Sequence, residues 1–234
     1  TALAMEAAVR ETGAIPATIA ILKGKITIGL AVSEIERLAT LPPGSVRKCS
    51  RRDFAIAVGL GQDAATTVAG TMIVAHQAGI RVFSTGGIGG VHRGQPFDVS
   101  ADLMELGRTP VAVVCSGAKS ILDLPLTLEV LETQGVPVVG YGTDTLPAFY
   151  SRSSGLPIDV CVETPQQVAQ IINAAYRLNM KHGILVAVSV PTGQELSAEV
   201  AEAAIQQATE EAAGQGIHGK EVTPFVLKRV AELT

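Results

Sequence analysis

One stretch of the sequence is the most informative about the fold: Arg81-Val82-Phe83-Ser84-Thr85-Gly86-Gly87-Ile88-Gly89-Gly90-Val91-His92-Arg93-Gly94. The apolar pair Val82-Phe83 predicts a strand, and the glycine-rich segment after it predicts a turn at the carboxyl end of that strand. Ligands of open α/β sheets bind at this end, and glycines let backbone N–H groups approach an anion. The turn is interpreted as a phosphate site or, alternatively, as a structural connection, since no Gly-Lys-Ser/Thr closes it as in a P-loop. His92 and Arg93 favour the phosphate site, because a structural turn needs no anion donors.

Segments of helical and strand-like composition alternate on both sides of this turn. Helices are predicted over 2–11, 71–79, 100–106, 120–132, 165–180, 198–213 and 223–233, and a further helix begins with a cap at Ser33. Strands are predicted over 17–22, 25–30, 81–84, 110–116, 136–141 and 183–190, the first two as a hairpin around Gly24, whereas 52–61 fits either element. Such alternation builds a mostly parallel sheet between helical layers. We expect a three-layer α/β/α fold with a mixed, mainly parallel sheet.

The composition fits one compact domain over residues 1–234, because 47% of the residues are hydrophobic and only 17% are charged. The net charge is −4 and the basic residues are scattered, so we expect no nucleic-acid partner. Three widely spaced cysteines, Cys49, Cys115 and Cys161, indicate reduced thiols in a cytoplasmic protein. No apolar run approaches the roughly 20 residues of a membrane span, so we expect a soluble protein with no membrane partner.

Two aspartates follow the glycine-rich turn at a spacing of four residues. Asp98 precedes a predicted helix cap at Ser100, and Asp102 lies in the first turn of that helix. Carboxylate oxygens suit a hard divalent cation that keeps several of its waters. Favourable charge at a helix N-terminus is the alternative interpretation. The sequence has no His/Cys cluster with zinc-binding spacing.

Two lysines are candidate functional groups. Lys119 follows the apolar run Val111-Ala112-Val113-Val114-Cys115 and stands where this strand is expected to give way to a helix. Apolar walls and a helix N-terminus both disfavour an ammonium ion, so the pKa falls and the free amine becomes available to attack a carbonyl. The small neighbours Ser116 and Ser120 leave room for a substrate, although a solvated loop lysine is the alternative. Lys48 either reaches a phosphate or belongs to a solvated basic strand.

Five motifs together resemble the pseudouridine-5′-phosphate glycosidase family, also called pseudouridylate synthases, to which the indigoidine synthase A-like proteins belong. The motifs are Lys48-Cys49-Ser50-Arg51-Arg52-Asp53, the run 85–94, the run 97–103, Gly117-Ala118-Lys119-Ser120-Ile121-Leu122-Asp123 and Phe149-Tyr150-Ser151-Arg152. The similarity spans nearly the entire chain.

The resemblance implies a homotrimeric α/β/α enzyme that reversibly splits the C–C glycosidic bond of pseudouridine 5′-phosphate. Its products are uracil and ribose 5-phosphate, and it uses Mn²⁺. The resemblance makes Lys119 the covalent nucleophile, which forms an imine, and Asp98 the metal ligand. It implies substrate contacts for Lys48, Val68, Thr85, His92, Ser100, Ala101 and Asp102.

The same resemblance implies a glutamate acid on an N-terminal strand and an asparagine in a C-terminal segment. Neither has a counterpart in the sequence, so we expect a single α/β domain that lacks both segments. The acid role is assigned to none of Glu6, Glu11, Glu34 and Glu36. Two other functions remain open: another Schiff-base sugar-phosphate lyase or aldolase that uses the same lysine, and a non-catalytic sugar-phosphate-binding protein.

Overall fold

The computed structural model describes residues 1–42, 44–217, 219 and 222–234. The chain divides into two compact units, Thr1–Ile80 and Arg81–Thr234. The single domain expected over 1–234 stays a prediction, because two compact units can belong to one folding domain. Among the described residues, no helix combines the length and the apolar character that crossing a bilayer would need.

The first unit contains a small mixed sheet and four helices among its described residues. Its elements are α1 (Ala2–Glu11), β1 (Ile19–Leu22), β2 (Lys25–Ile28), α2 (Val32–Thr40), β3 (Arg47–Cys49), a 3₁₀ turn at Arg51–Asp53, α3 (Phe54–Gly59), β4 (Ala64–Thr66) and α4 (Val68–Gln77). The strand order is β2-β1-β4-β3, with β3 and β4 parallel and the other pairs antiparallel. The hairpin between β1 and β2 is confirmed. Lys23 and Gly24 both have positive φ, as a two-residue type I′ turn requires.

The second unit is built on a five-stranded parallel sheet. Its elements are β5 (Val82–Ser84), β6 (Val91–His92), β7 (Gln95–Val99), α5 (Ala101–Leu106), β8 (Ala112–Cys115), β9 (Leu122–Asp123), α6 (Leu124–Thr133), β10 (Val138–Tyr141), β11 (Val160–Val162), α7 (Pro165–Arg177), β12 (Ile184–Val188), α8 (Ala198–Gly214) and α9 (Val222–Leu233). The order of the parallel sheet is β11-β10-β12-β8-β5, and β7-β6-β9 form a small antiparallel sheet. The α/β class with a mainly parallel sheet is confirmed.

Aliphatic side chains explain why these strands are central. The core of the sheet is formed by Ala112, Val139, Val162, Ile184 and Val186, and α7 packs its apolar side chains against them. Strands whose two faces are both covered read as continuous apolar runs, which is why β8 and β12 are recognisable in the sequence.

Three helix starts differ from the prediction by two residues or more. The helix predicted from residue 71 begins at Val68. Ser33 does not cap α2, because the cap residue is Ala31, whose N–H donates to the Glu34 side chain at 2.8 Å. The helix predicted from residue 120 begins only at Leu124, since the side chain of Asp123 caps it. The short strands β6, β7, β9 and β11 were not predicted, because they form through pairing with distant segments.

Candidate functional site

Two turns lie side by side at the carboxyl end of the parallel sheet. The glycine turn (residues 84–94) follows β5, and the lysine turn (residues 116–121) follows its neighbour β8. Four backbone hydrogen bonds join the ends of the strands and the turns: Thr85 N–H to Val114 O (3.0 Å), Ser116 N–H to Gly86 O (2.9 Å), Ile88 N–H to Gly117 O (3.0 Å) and Lys119 N–H to Ile88 O (3.1 Å). The sheet pairing therefore continues past the strands and fixes the backbone of Lys119 against the glycine turn.

Lys119 is partly buried in the lysine turn. The expectation that it stands at a helix N-terminus is wrong, because β9 lies between it and α6, whose first turn is capped by Asp123. The apolar surroundings expected for Lys119 are present, since its neighbours Ile88 and Ala118 are fully buried. Any activation of the amine must therefore come from burial and nearby charges rather than from a helix dipole.

Charges around the lysine turn affect the pKa of the Cys115 thiol at the end of β8. Cys115 is buried and donates to Gly117 O at 3.4 Å. Burial raises the pKa of this thiol to about 11, the negative charge of Asp102 adds to the rise, and the positive charge of Lys119 opposes it. Lys119 and Asp102 thus both lie within electrostatic reach of one buried sulfur, which places them in the same neighbourhood.

The predicted contacts at Ser100 and Asp102 lie against the glycine turn. Asp102 is 5% exposed, and its Oδ2 accepts the Gly89 N–H at 2.9 Å. Ser100 is the N-cap of α5, as predicted, and its Oγ accepts the Asp102 N–H at 3.3 Å. The Ser100 N–H donates back to Gly90 O at 3.0 Å. The start of α5 and the glycine turn therefore form one hydrogen-bonded unit.

The other predicted residues of this unit differ in exposure. Thr85 and His92 are partly buried, whereas Asp98 on β7 and Ala101 at the start of α5 are exposed. Asp98 and Asp102 therefore have different environments: the first carboxylate faces solvent and the second is buried against a backbone amide. Asp98 is the carboxylate of the two that remains accessible to a hydrated cation.

The amides of the glycine turn are only partly available to an anion. The N–H groups of Thr85, Ile88 and Gly89 donate within the protein, and the Val91 N–H donates to Thr127 Oγ1 at 3.0 Å. Among the described residues, the amides of Gly86, Gly87 and Gly90 have no hydrogen-bond partner, and of these three glycines Gly86 alone is exposed. A phosphate would therefore meet the first half of the turn, beside Thr85.

Arg93 does not behave as the predicted anion donor. Its guanidinium group donates to Ser120 O at 2.7 Å and to Leu122 O at 3.2 Å, and it pairs with Glu202 of α8. These contacts use four of the five N–H donors of the guanidinium group, which leaves little of it for a phosphate.

A third segment meets the two turns through Phe149. Its N–H donates to Ser116 O at 3.1 Å, and its ring covers Gly87, where an added Cβ would lie 2.6 Å from a ring carbon. Phe149 has a φ of 65°, a left-handed conformation that costs energy for a bulky residue. Such strain is concentrated at functional sites, which agrees with the position of this ring beside the lysine turn.

In the first unit, the two predicted substrate contacts lie close in the fold. Lys48 is exposed on β3, opposite Ala65 of β4, and Val68 is the buried first residue of α4. The Thr67 N–H donates to Cys49 O at 2.9 Å. Both residues therefore belong to the carboxyl ends of the parallel pair β3 and β4.

Glu6 has a structural environment. It is buried, its carboxylate accepts from the Thr18 hydroxyl and from Arg10, and the hydrogen bond from Thr18 is the main cause that lowers its pKa. A carboxylate held in the charged form is unsuited to act as an acid, which agrees with leaving that role unassigned.

The described residues contain no ready-made metal cage. Across residues 1–42, 44–217, 219 and 222–234, no group of three or more His, Cys, Asp or Glu side chains is arranged to hold an ion. A cation at Asp98 would therefore complete its shell with water or substrate.

Three contributors to this site were missed by sequence reasoning. Thr127 of α6 is buried, anchors the Val91 N–H and donates to Asp123 O at 2.6 Å. The other two are Glu202 and the structural role of Arg93, which depend on a contact between residues more than a hundred positions apart in the chain. No local pattern marks such residues, because their partners are distant in the chain.

Comparison with known sequences shows the family of this chain. The sequence profile described as "Indigoidine synthase A like protein" matches residues 1–234. A pseudouridine-5′-phosphate glycosidase of Geobacillus kaustophilus is 55% identical over 236 aligned positions, which cover 100% of this chain and 78% of the relative. The protein of the same name from Hahella chejuensis is 51% identical, with the same coverage.

Two solved structures have the same fold. The prealnumycin C-glycosynthase AlnA in complex with ribulose 5-phosphate superimposes with a TM-score of 0.89 at 42% identity, covering 100% of this chain and 77% of its own. An indigoidine synthase A-like protein of Thermotoga maritima gives a TM-score of 0.89 at 35% identity, covering 99% of this chain and 76% of its own. With the profile match over its whole length, the chain belongs to the indigoidine synthase A-like family.

Proposed function

We propose that this chain is a pseudouridine-5′-phosphate glycosidase, which reversibly splits pseudouridine 5′-phosphate into uracil and ribose 5-phosphate. The observation that carries the proposal is the pairing of the lysine turn with the glycine turn, which holds Lys119 beside the start of α5. Relatives of that name are 51–55% identical to this chain. A structural neighbour named as a C-glycosynthase binds ribulose 5-phosphate, a pentose phosphate.

Cleavage of the bond between uracil and ribose requires a nucleophile, because uracil cannot simply dissociate from the sugar. Uracil joined through carbon would leave as a poorly stabilised carbanion, unlike the leaving group of an ordinary glycosidase. When the ring oxygen is protonated, the neutral amine of Lys119 adds to C1′ and the C1′–O bond breaks, which opens the ribose ring. The nitrogen lone pair then forms the C=N bond as the C1′–C5 bond breaks, and a proton adds at C5 of uracil. Water hydrolyses the resulting imine and releases ribose 5-phosphate.

The proposed substrate contacts have distinct tasks. The hydroxyl of Thr85 and the ring of His92 would hold the phosphate and ribose at the glycine turn. Ser100-Ala101-Asp102 would contact the substrate from the start of α5, where the Gly89–Asp102 hydrogen bond fixes their position. Lys48 and Val68 are proposed as further substrate contacts on the strength of the family resemblance.

We propose Asp98 as the protein ligand of Mn²⁺. Its exposed carboxylate fits a hard cation that keeps most of its waters. The ion would orient water and substrate oxygens at the site. The side chain of Asp98 itself supplies one oxygen and one negative charge, and Asp102 stays committed to the Gly89 amide.

We also propose a homotrimer in the cytoplasm. The trimer is proposed on the strength of the family resemblance, and Phe97 on β7, which is 100% exposed beside Asp98, is a candidate for its interface. The three free cysteines fit a reducing compartment.

One experiment tests the proposal. Uracil release from pseudouridine 5′-phosphate is followed by chromatography with Mn²⁺, and in parallel the protein is treated with ribose 5-phosphate and borohydride before peptide mapping. Uracil release together with a pentose adduct on Lys119 is the expected result. An adduct without uracil release would favour another Schiff-base lyase or aldolase, and binding without an adduct would favour a non-catalytic sugar-phosphate-binding protein.

A further inference from the structure

One side chain ties the end of the glycine turn to the segment just after Lys119. Arg93 Nη2 donates to Ser120 O at 2.7 Å, and Nε donates to Leu122 O at 3.2 Å. Ser120 is only 6% exposed, so its carbonyl group has little access to water in place of the arginine. The hydrogen bond from the Lys119 N–H to Ile88 O holds the upstream side of the turn. Arg93 therefore holds the downstream side of the lysine turn.

Glu202 of α8 holds the guanidinium group in this orientation. Its two carboxylate oxygens accept from Nη1 at 2.5 Å and from Nη2 at 3.1 Å. This two-oxygen geometry fixes the plane of the guanidinium group. The ion pair itself is accessible, with side-chain exposures of 44% for Arg93 and 55% for Glu202. Exposed pairs contribute little to stability, so stability alone is a weak reason for this arrangement.

We infer that Arg93 is a positioning residue for Lys119 and that Glu202 orients it. The inference rests on the proposed role of Lys119 as nucleophile. By holding the carbonyl groups of residues 120 and 122, the guanidinium group keeps the lysine turn in one conformation, so the amine meets C1′ in an attack orientation. A displacement of about 1 Å in such a group slows bond formation about 100-fold. Sugar-phosphate binding depends on other residues and is left nearly unchanged.

The test compares Arg93→Ala, Arg93→Lys and Glu202→Gln with a matched control. Arg229→Ala is that control, because Arg229 of α9 makes a similar two-oxygen pair with Glu211 of α8 and donates to neither Ser120 O nor Leu122 O. Each variant is assayed for kcat and KM with pseudouridine 5′-phosphate, for the rate of borohydride trapping at Lys119 with ribose 5-phosphate, and for its urea midpoint. The assays are repeated with free guanidinium ions below the unfolding range.

For Arg93→Ala we expect kcat and the trapping rate to fall together by about 100-fold, with KM almost unchanged. Arg93→Lys keeps the positive charge but cannot donate to both carbonyl groups in the same geometry. Glu202→Gln keeps the arginine but holds it less firmly. In both variants kcat and the trapping rate therefore fall by less than in Arg93→Ala. Free guanidinium restores much of the trapping rate of Arg93→Ala, because Arg93 and Glu202 line a cavity of about 550 Å³ through which the ion can enter. Arg229→Ala behaves as the wild type.

Three results would overturn the inference. The first is an unchanged trapping rate in Arg93→Ala, and the second is a loss that follows the urea midpoint and does not respond to guanidinium. The third is a loss confined to KM for phosphorylated sugars, which would make Arg93 a phosphate ligand. Measurements on the wild-type protein distinguish a failure of the proposed function from a failure of the inference about Arg93. No adduct on wild-type Lys119 removes the proposed function and the inference together, whereas a normal wild-type adduct with an unaffected Arg93→Ala removes the inference alone.

Discussion

Replacing Gly89 by alanine tests whether the glycine turn and α5 form one unit. A Cβ at this position would overlap Ser100 Oγ and lie 2.6 Å from Ser100 Cβ and 2.8 Å from Asp102 Oδ2. Rotation of the serine hydroxyl cannot relieve the contact, because the Ser100 Cβ is fixed to the backbone. Either the turn or the start of α5 must therefore move.

The expected cost follows from two contributions. Overpacking a buried site costs about 1–3 kcal/mol. The shift also stretches the hydrogen bond from the Gly89 N–H to Asp102, and a hydrogen bond to a charged group is worth about 1.5–3 kcal/mol. We expect the free energy of unfolding to fall by about 2–5 kcal/mol, depending on how much of that bond survives. Ser100 and Asp102 also move, so we expect KM to rise.

Urea unfolding of the two alanine variants Gly89→Ala and Gly86→Ala measures this cost. Gly86→Ala is the matched control in the same turn, since its Cβ would meet the Phe149 ring at an ordinary 3.6 Å. The control should unfold within about 1 kcal/mol of the wild type, as an unstrained surface change does. Equal stability of the two variants would refute the close packing between Gly89 and α5.

Four further predictions concern other parts of the site. Lys119→Ala abolishes uracil release but leaves ribose 5-phosphate affinity in calorimetry largely intact; loss of both would contradict its role as nucleophile. Asp98→Asn raises the Mn²⁺ concentration needed for half-maximal activity at least about tenfold, and an unchanged titration would count against this ligand. Burial raises the pKa of the Cys115 thiol to about 11 from 9.0, so the free energy of unfolding falls as pH rises from 9 to 11, by up to about 1.4 kcal/mol per pKa unit; Cys115→Ala should reduce that fall in denaturant titrations, and Cys49, whose pKa burial also raises to about 11, should supply the part that remains. Phe97→Asp converts the proposed trimer to smaller species in light scattering, whereas an unchanged assembly would exclude Phe97 from the interface.

The parallel sheet was predictable, because its central strands are marked by local composition. β8 and β12 are runs of aliphatic residues that no water-exposed strand would need, and the turn at Lys23-Gly24 has the chemistry of a tight hairpin. The true start of α6 also had a signal, since Asp123 is a good cap and Pro125 suits the first turn of a helix. That signal was outweighed by the expectation that the helix begins directly after the strand.

Other features of the site have no local signal. β6 and β9 contain two residues each and exist because the end of the glycine turn pairs with the two residues that follow the lysine turn. Arg93 looks like an anion donor in the sequence, yet its guanidinium group is held by two carbonyl groups and by a carboxylate from α8. Which partner an arginine finds depends on the tertiary structure, so the sequence can supply the residue type but not its task.

The glycines of the turn are a second case in which the sequence does not reveal what the residues do. Sequence reasoning associates such glycines with left-handed backbone or with room for an anion, but Gly87, Gly89 and Gly90 do not have positive φ. Each instead lies where a Cβ would strike a neighbour: the Phe149 ring, Ser100 or Thr127. Three segments from different parts of the chain can therefore approach one backbone and converge around Lys119. The glycines serve the site chiefly by close packing, and the exposed Gly86 amide, with no hydrogen-bond partner in the part of the chain that the structure describes, remains for a phosphate.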